Sequence, residues 1–344
     1  MSTPDAGIRR SLLRRSLPAI IGVGLSVGLL AWALHDVSLS EVLRHIRSAR
    51  PGPLTVSVIL ATITFPIRLV RWRLLLRDER GQALAAGPLW HAIALGFMAN
   101  NVLPLRAGEL IRSYTAARLA PARFTTVISS VAVERIFDGL TVVSLLTLAL
   151  FSSDLPGSAA IGGRSVAQLA RIAGAMGLVA LLGAAMVVAA PETAERVVRR
   201  LLPHSRAADR VIDLIEGVRQ GLGVLRSPAR LTKVVFWSLV LWLVNAFAFY
   251  VGFAAFDIPV SYPGALLLQG LLVLGISIPS TPGFFGPFEA VIVAVLALYG
   301  VPGSLAFSYA IAFHITTFIP ITLLGLWSMA RIPEGYSVLR GSSA

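Results

Sequence analysis

Three stretches of this sequence combine charged side chains with residues that interrupt helices, in otherwise apolar surroundings. The first runs from Asn100 to Tyr114, with Pro104 and Gly108 near its middle. These two residues favour a turn followed by a new helix, whose first N–H groups are free and whose dipole is positive at that end. Arginines beside such a helix N-terminus are suited to holding a phosphate or another anion.

Charged residues recur every three positions in this first stretch, at Arg106, Glu109 and Arg112. Residues at this spacing lie near one helix face, so they form a row of positive, negative and positive charge. We predict that Arg106 and Arg112, with Asn100 and Tyr114, contact an anionic group, and that Glu109 balances the arginines when the site is empty. The competing interpretation is an ordinary ion pair at the membrane surface.

The second stretch places Glu134, Arg135 and Asp138 within five residues of an apolar run. Glu134 and Asp138 share a helix face, whereas Arg135 is displaced toward a neighbouring one. A charge near the bilayer centre costs at least ~2.5–3.5 kcal/mol, so these three require partners or water. We predict that Arg135 joins the anion site and pairs with Glu109 or Glu289 when the site is empty. The alternative is that the cluster lies near the cytoplasmic end of its helix and snorkels.

The third stretch runs from Ile278 to Glu289 and contains three prolines and two glycines. Gly283 and Gly286 permit positive φ and close backbone approach, so we predict that their amides hold an anion while Glu289 faces a partner charge. An external loop is the alternative. His314 lies in the middle of the next apolar run, where a satisfied polar core residue is more common than a proton carrier. We assign it, like Glu289, a charge-balancing role.

Covalent catalysis has little support in this sequence. There is no cysteine, which excludes disulfides, thiolate nucleophiles and Cys-bound metals. No histidines and carboxylates have metal-ligand spacing, no serine lies in a nucleophile elbow, and no glycine loop carries the P-loop lysine. We therefore predict no catalytic residue, no metal and no cofactor. Arg68 and Arg71, at the end of an apolar run, are interpreted as cytoplasmic anchors.

The elements that must position these residues are membrane helices. Hydrophobic residues make up 56% of the chain and charged residues 14%, and the mean hydropathy is +0.79, which is too apolar for a soluble domain. The net charge of +13 is spread over short basic runs typical of membrane-facing loops, so nucleic acid is not an expected partner. Apolar runs long enough to cross a bilayer occur at 17–34, 53–70, 124–151, 167–190, 234–256 and 303–330.

These runs predict an all-α fold, a polytopic transmembrane helical bundle that forms a single membrane domain over 1–344. Six full spans are joined by two broken or re-entrant hairpins, in the interrupted apolar regions 84–105 and 262–300. A broken backbone must be buried in protein or line a wet cavity, because lipid cannot satisfy its free N–H and C=O groups. The run at 17–34 follows several arginines like a signal peptide, but its length favours an uncleaved first span.

Loop charges predict the orientation of the bundle. Counts of Lys and Arg place both termini on the cytoplasmic side of the cell membrane. The segment 191–233, with eight arginines and Lys233, is predicted to be a cytoplasmic amphipathic helical connector. Residues Ser40 to Ala49 are predicted to form an interfacial helix on the opposite side, with their arginines at the headgroups.

The regions 84–151 and 262–330 resemble each other in the order of their parts. Each has a broken hairpin that ends in a glutamate, then a short helix and a full span. Glu109 and Glu134 are 25 residues apart, as are Glu289 and His314. Since the loop charges make the two hairpins enter from opposite sides, we predict an inverted repeat whose breaks meet near the midplane.

Three motifs in this order resemble those of the lysylphosphatidylglycerol synthase transmembrane-region family, whose members are also described as flippase-like membrane proteins. They are Asn100-x-x-Leu103-Pro104-x-Arg106-x-Gly108-Glu109-x-x-Arg112-x-Tyr114, Glu134-Arg135-x-x-Asp138 and Pro282-Gly283-x-x-Gly286-x-x-Glu289. In two-domain members a membrane flippase unit precedes a soluble aminoacyl-transferase unit. Because this chain ends soon after its last span, the resemblance implies the translocating half without the synthase. The Ser280-Thr281-Pro282 sequence departs from the simpler turn of the family.

The leading hypothesis is therefore a flippase-like transporter that moves or binds an anionic phospholipid or a polyprenyl-linked lipid between leaflets. Arg106, Arg112 and Arg135 would hold the headgroup, and the carboxylates would change partners during transport. One alternative is a membrane transferase acting on lipid-linked substrates, with His314 or an acid as base. The other is a noncatalytic membrane partner that recruits a separate lipid synthase through 191–233.

Overall fold

The computed structural model describes residues 22–35, 37–78, 80–103, 107–152, 191–201, 227–277 and 281–332, with a few isolated positions between 155 and 212. Nearly all of these residues are helical, apart from a short antiparallel pair of strands, Ala160–Ile161 and Arg164–Ser165. The helices are α1 Gly22–Leu34, α2 Leu39–Ser48, α3 Pro51–Leu75, α4 Ala86–Val102, α5 Gly108–Leu119, α6 Phe124–Ser152, α7 Pro191–Leu201, α8 Pro228–Ala255, α9 Tyr262–Gly275, α10 Pro287–Ala297 and α11 Gly303–Arg331.

Four of these helices, α3, α6, α8 and α11, are long and apolar enough to cross a membrane, with 25 to 29 residues each. At about 1.5 Å per residue each exceeds the ~30 Å hydrocarbon core. They confirm the spans predicted at 53–70, 124–151, 234–256 and 303–330. The span predicted at 17–34 is described from Gly22 onward, where α1 and α2 form a pair bent by 81°. The span predicted at 167–190 lies outside the described residues except for isolated positions.

Both predicted helix interruptions are present. Helix α4 ends at Val102 and helix α5 begins at Gly108. Helix α9 ends at Gly275, a short 3-10 turn follows at Pro282–Phe284, and α10 begins at Pro287. In the second break Gly283 and Gly286 have φ values of 69° and 98°, a region that side chains with a Cβ rarely enter. The chain therefore turns here because proline removes N–H donors and glycine permits the left-handed backbone.

The first hairpin is closed by backbone packing between α4 and α5. The side-chain oxygen of Asn100 accepts a hydrogen bond from the Gly108 N–H at 2.9 Å, which satisfies a donor at the start of α5. A Cβ placed on Gly108 would lie 2.0 Å from the carbonyl oxygen of Gly96. Glycine at position 108 is thus required by the close approach of the two helices.

The two breaks adjoin each other through the end of α4. The Asn101 side chain donates to Thr322 Oγ1 at 3.0 Å in α11, and a Cβ on Gly283 would lie 3.3 Å from the Asn101 carbonyl oxygen. The order of parts is the same in both regions: helix, break, short helix, long helix. The inverted relation between 84–151 and 262–330 stays a prediction.

Helices α3 and α8 pack side by side in opposite directions. Ser57 Oγ, near the start of α3, donates to the Ala248 carbonyl at 2.7 Å near the end of α8. Arg71, near the end of α3, donates to Ser238 Oγ at 3.1 Å near the start of α8. The end of α3 and the start of α8 therefore lie at the same end of the bundle.

Two peripheral helices lie where amphipathic segments are predicted. Helix α2 buries only Val42 of its ten residues, and the Ser38 N–H before it lies 3.4 Å from Ser304 Oγ of α11. Helix α7 is the first part of the connector predicted over 191–233, and most of the remainder up to 226 lies outside the described residues. The roles of both segments at the membrane surface stay predictions.

Replacing Gly108 by alanine tests the packing of the first hairpin. The new Cβ would meet the Gly96 carbonyl and the Asn100 side chain, so α5 must move, and we expect a loss of about 1–3 kcal/mol, typical of overpacking. Unfolding by SDS in mixed micelles, followed by circular dichroism, measures this loss. The matched control is Gly139→Ala in α6, where a Cβ meets nothing within 4 Å. Equal stability of the two variants would contradict the close packing.

Candidate functional site

Arg71 lies at the centre of a buried ion network that joins three helices. Its side chain is 0% exposed, and its guanidinium nitrogens lie 3.2 Å from Glu134 Oε1 and 2.5 Å from Asp138 Oδ1. It also donates to Ser238 Oγ. Since α3, α6 and α8 all contribute, Arg71 links the helices rather than reaching for the surface. Its interpretation as a cytoplasmic anchor is wrong, because its partners lie inside the bundle.

Glu134 accepts hydrogen bonds from two further arginines. Arg112 of α5 binds it in a bidentate manner, with N–O distances of 3.0 and 2.8 Å, and Arg135 donates to it at 2.8 Å. The Arg112 guanidinium also lies 3.8 Å from the centre of the Trp72 ring, a cation–π arrangement. Arg112 is thus buried and occupied by protein groups. It fixes the short helix α5 to the long helix α6.

Asp138 is held from two sides. Its Oδ1 accepts from Arg71 and from Trp242 Nε1 at 2.9 Å, and its Oδ2 lies 3.0 Å from Arg135. Asp138 is also the middle residue of α6, about 21 Å of helix rise from either end. The network therefore lies deep within the bundle, and the alternative of a snorkelling cluster at the helix end does not describe it.

Arg135 is the outermost arginine of this network. Its side chain is 41% exposed and lies among three carboxylates: Glu134, Asp138 and, at 3.6 Å, Glu109. Of the two partners predicted for it, the structure shows Glu109 and not Glu289. Glu109 is itself about half exposed, and its distance to Arg135 is the longest in the network. Arg135 is therefore the most accessible guanidinium of the network.

Arg68 differs from the other arginines because no carboxylate lies within ion-pair distance of it among the described residues. It is 7% exposed, and its Nε–H has no hydrogen-bond partner. Its guanidinium carbon lies 4.9 Å from the Phe97 ring centre and 6.0 Å from that of Trp242. Asp138 and Arg135 are within electrostatic range. Like Arg71, Arg68 was interpreted as a cytoplasmic anchor, which its burial contradicts.

The charges of the network do not balance. Four guanidinium groups face three carboxylates among the described residues. The paired arginines are held by hydrogen bonds to ionised partners, the strongest kind available in a protein. Within the described part of the chain one positive charge remains, and Arg68 is the arginine that has no acid within ion-pair distance. Arg68, Arg71, Trp72 and Trp242 were missed as site residues, although two arginines and a tryptophan in one apolar helix were a visible signal.

Glu289 and His314 form a separate buried pair. His314 Nδ1 lies 2.6 Å from Glu289 Oε1, and its Nε2 lies 2.8 Å from the Gly283 carbonyl oxygen. The Gly286 N–H donates to Glu289 Oε2 at 2.7 Å, so this amide is not available to an anion. The expectation that Glu289 faces an arginine is wrong, because its side-chain partner is His314 of α11.

The remaining predicted site residues are placed as follows. Asn100 caps the start of α5 and is only partly exposed. Tyr114 is exposed, with the Arg118 guanidinium 5.8 Å from its ring centre. Arg106 lies outside the described residues. The structure therefore brings Arg112, Arg135, Glu109, Glu134 and Asp138 together and places Gly283, Gly286, Glu289 and His314 around the second break.

The sequence is similar to a known family of membrane proteins. The profile of the family described as "Lysylphosphatidylglycerol synthase TM region" matches residues 19–325. The chain is 27% identical to a protein named glycosyltransferase AglD, from Haloferax volcanii, over 334 residues that cover 89% of this chain and 53% of AglD. It thus spans about half the length of that relative.

Two relatives from Methanothermobacter thermautotrophicus, both named UPF0104 membrane protein, match over most of their length. One is 22% identical over 327 residues, covering 89% of this chain and 90% of the relative. The other is 25% identical over 307 residues, covering 83% and 85%. The family match covers all three motifs, the four long helices almost entirely and both breaks. This multi-pass membrane protein therefore belongs to the lysylphosphatidylglycerol synthase transmembrane-region family.

Proposed function

We propose that this protein is a flippase-like transporter that binds the phosphate of an anionic lipid at Arg68 and Arg135 and moves the lipid between leaflets. The observation that carries the proposal is the buried guanidinium of Arg68, for which the described residues offer no acid. Burying an uncompensated charge costs several kcal/mol. A charge kept inside a membrane protein at this cost is a functional-site candidate, and the partner it lacks is an anion.

Arg135 supports the same site from the exposed side of the network. A phosphate arriving from the lipid region first meets this half-exposed arginine and competes with Glu109, whose 3.6 Å contact is the weakest in the network. Arg68 then supplies the buried contact. Arg71 and Arg112 keep their carboxylates throughout, so the frame of the site does not depend on the lipid. The proposed headgroup contacts are therefore Arg68 and Arg135, in place of Arg106 and Arg112, which were expected from the sequence.

The adjoining breaks supply moving parts. Helices that are interrupted near the midplane allow one hairpin to rock against another around a fixed site. The acyl chains remain in the surrounding lipid while the headgroup crosses. A phospholipid and a polyprenyl phosphate offer the same phosphate, and the family description, which names a phospholipid-modifying synthase, favours the phospholipid. We place the protein in the cell membrane, with both termini on the cytoplasmic side, from its loop charges.

A second candidate function is that of a noncatalytic membrane unit serving a lipid-modifying enzyme. The observation that favours it is the similarity to AglD, which is named a glycosyltransferase and is about twice as long as the matched region. Copurification with such an enzyme, lost on deletion of 191–226, would support this role. A role as a transferase with His314 as base has less support, because both ring nitrogens of His314 are occupied by Glu289 and Gly283.

Substitution of Arg68 by methionine separates binding from folding. Removing a charge-assisted contact worth about 1.5–3 kcal/mol weakens headgroup binding by about tenfold or more, whereas stability stays equal or rises because no acid loses its partner. Scrambling of fluorescent phosphatidylglycerol in proteoliposomes measures the effect, with phosphatidylcholine, polyprenyl phosphate and competing inorganic phosphate as separate arms.

The matched control is Arg44→Met, an exposed arginine of α2. It should scramble lipid like the wild type. Unchanged scrambling in both Arg68→Met and Arg135→Met would remove the proposed site, and competition by inorganic phosphate alone would show an anion site without lipid transport.

Substitution of Arg71 by methionine should lower the stability of the protein, whereas Arg68→Met should not. Arg71 neutralises Glu134 and Asp138 inside the bundle, so its loss leaves buried carboxylates short of a partner and lowers stability by about 3–5 kcal/mol. SDS unfolding in mixed micelles compares Arg71→Met with Arg68→Met. Adding Asp138→Asn to Arg71→Met should restore part of the loss, because the two residues are coupled. Equal stability of the two single variants would contradict the assignment of paired and unpaired arginines.

A further inference from the structure

The pair of Glu289 and His314 lies outside the arginine network and has no role in the proposed headgroup site. Glu289 is in the first turn of α10 and is fully buried, and His314 is in α11, roughly 17 Å of helix rise from Gly303. Both side chains contact the backbone of the second break: the carboxylate accepts from the Gly286 N–H, and the imidazole contacts the Gly283 carbonyl. The pair thus connects α10, α11 and the two glycines of positive φ.

The hydrogen bonds of this pair require a bound proton. The Gly283 carbonyl oxygen can only accept, so His314 Nε2 carries a hydrogen. At 2.6 Å from Glu289 Oε1, Nδ1 must then either donate as part of an imidazolium or accept from a protonated carboxyl. Both assignments contain one proton more than a neutral histidine beside a carboxylate. In that deprotonated form two lone pairs would face each other at hydrogen-bond distance.

We propose that Glu289 and His314 form a proton-binding site that holds the second helix break closed and opens it when the proton leaves. Deprotonation releases one proton to water and leaves a carboxylate and a neutral imidazole. The contact between Nδ1 and Oε1 is then lost, and the buried carboxylate keeps only the Gly286 N–H. Loss of a partner by a buried charge is strongly unfavourable, so the break must rearrange to admit water or another donor.

Among the described residues, no second acid or base lies next to the pair. The imidazole lies against the rings of Phe285 and Phe288, with centre distances of 4.4 and 4.1 Å, and Phe318 closes a third side at 6.4 Å. Helix α1, whose Ser26 carbonyl packs on Gly286, has no ionisable side chain among its described residues. Apart from the pair itself, α10 has none and α9 has only Tyr262.

Ionisable groups on the other neighbouring helices face elsewhere. On α4 there is His91, which lies against Trp327 near the end of α11, and α11 ends in Arg331. On α3 there are Arg68 and Arg71, directed at the Asp138 network, and Arg73, which donates to the Leu84 carbonyl. The charges of α2 (Glu41, Arg44, His45, Arg47) and the basic residues of α8 (Arg230, Lys233) lie at the ends of the bundle. Tyr309 of α11 donates to the Phe249 carbonyl oxygen, so among the described residues a change of charge at the break arises from this pair.

The second break contacts both α1 and the end of the first hairpin. The Thr281 N–H donates to Ser26 Oγ of α1, and Thr281 Oγ1 donates to the Phe285 carbonyl. Gly283 lies against the carbonyl of Asn101, at the end of the first hairpin. A proton lost at Glu289 and His314 thus loosens the turn of the second hairpin at the point where it contacts the first hairpin. The link between this opening and lipid movement rests on the proposed function, whereas the proton site itself does not.

Variants of Glu289 distinguish a proton site from a structural contact. Glu289→Gln can still accept from Gly286 and donate an amide N–H to His314 Nδ1, so it imitates the proton-loaded pair without a titrating proton. Because the chain contains no cysteine, Ala290→Cys introduces a unique thiol at a position that is 4% exposed beside the break. We expect labelling of this thiol by a hydrophilic maleimide, corrected for thiolate content, to rise several-fold as the pH increases from about 5 to about 9.

In the Glu289→Gln background the labelling should stay at its low-pH level across this range, and lipid scrambling should lose its pH dependence. His91→Gln is the matched control and should behave like the unaltered background. Labelling that ignores pH, or that rises equally in Glu289→Gln, would overturn the proton site even if lipid scrambling is intact. If no variant scrambles lipid but labelling still rises only when Glu289 is present, the proton site stands and the proposed function fails.

Discussion

The structure depends on one carboxylate, Glu134, that accepts hydrogen bonds or ion pairs from three arginines on three helices. The interior of a bilayer holds no water to solvate these charges, so protein groups must satisfy them. Each arginine therefore has to reach the acid from the helix on which it lies. Arg71 lies on α3 and Arg112 on α5, and their contacts with Glu134 attach these two helices to α6. Arg135 lies beside Glu134 on α6. The same interaction that makes burial tolerable therefore determines how α3, α5 and α6 are arranged.

The pairing of charges at the centre of the network is also the reason that the proposed binding residues, Arg68 and Arg135, lie at its periphery. Glu134 and Asp138 already contact Arg71, Arg112, Arg135 and Trp242, so a ligand at the centre would have to displace these partners. No described acid lies within ion-pair distance of Arg68, and Arg135 is 41% exposed. The ion pairs of Glu134 and Asp138 fix the positions of the helices. In the proposed function, the incompletely paired guanidinium groups of Arg68 and Arg135 are the ones that can still bind an anion.

The order of helices and the positions of both breaks could be predicted from the sequence, because long apolar runs and clusters of proline and glycine act locally. The charged residues of α5 and α6 were also visible, since three charges in an apolar run demand partners. Their partners were harder to predict. Arg71 and Trp242 reach Asp138 across 67 and 104 positions of sequence, and that pairing depends on how the helices pack. Glu289 was assigned to the arginines for the same reason: local spacing does not reveal that His314 is the side chain across the turn.

The charge imbalance at Arg68 has an electrical consequence. Among the described residues the core has one positive charge more than its carboxylates, and moving one such charge fully across a potential of 100 mV involves about 2.3 kcal/mol. Once such a core takes up a monoanion it becomes neutral, and voltage no longer acts on it. In the proposed transport function, the membrane potential would therefore act on the return of the empty protein and not on the protein with its bound lipid.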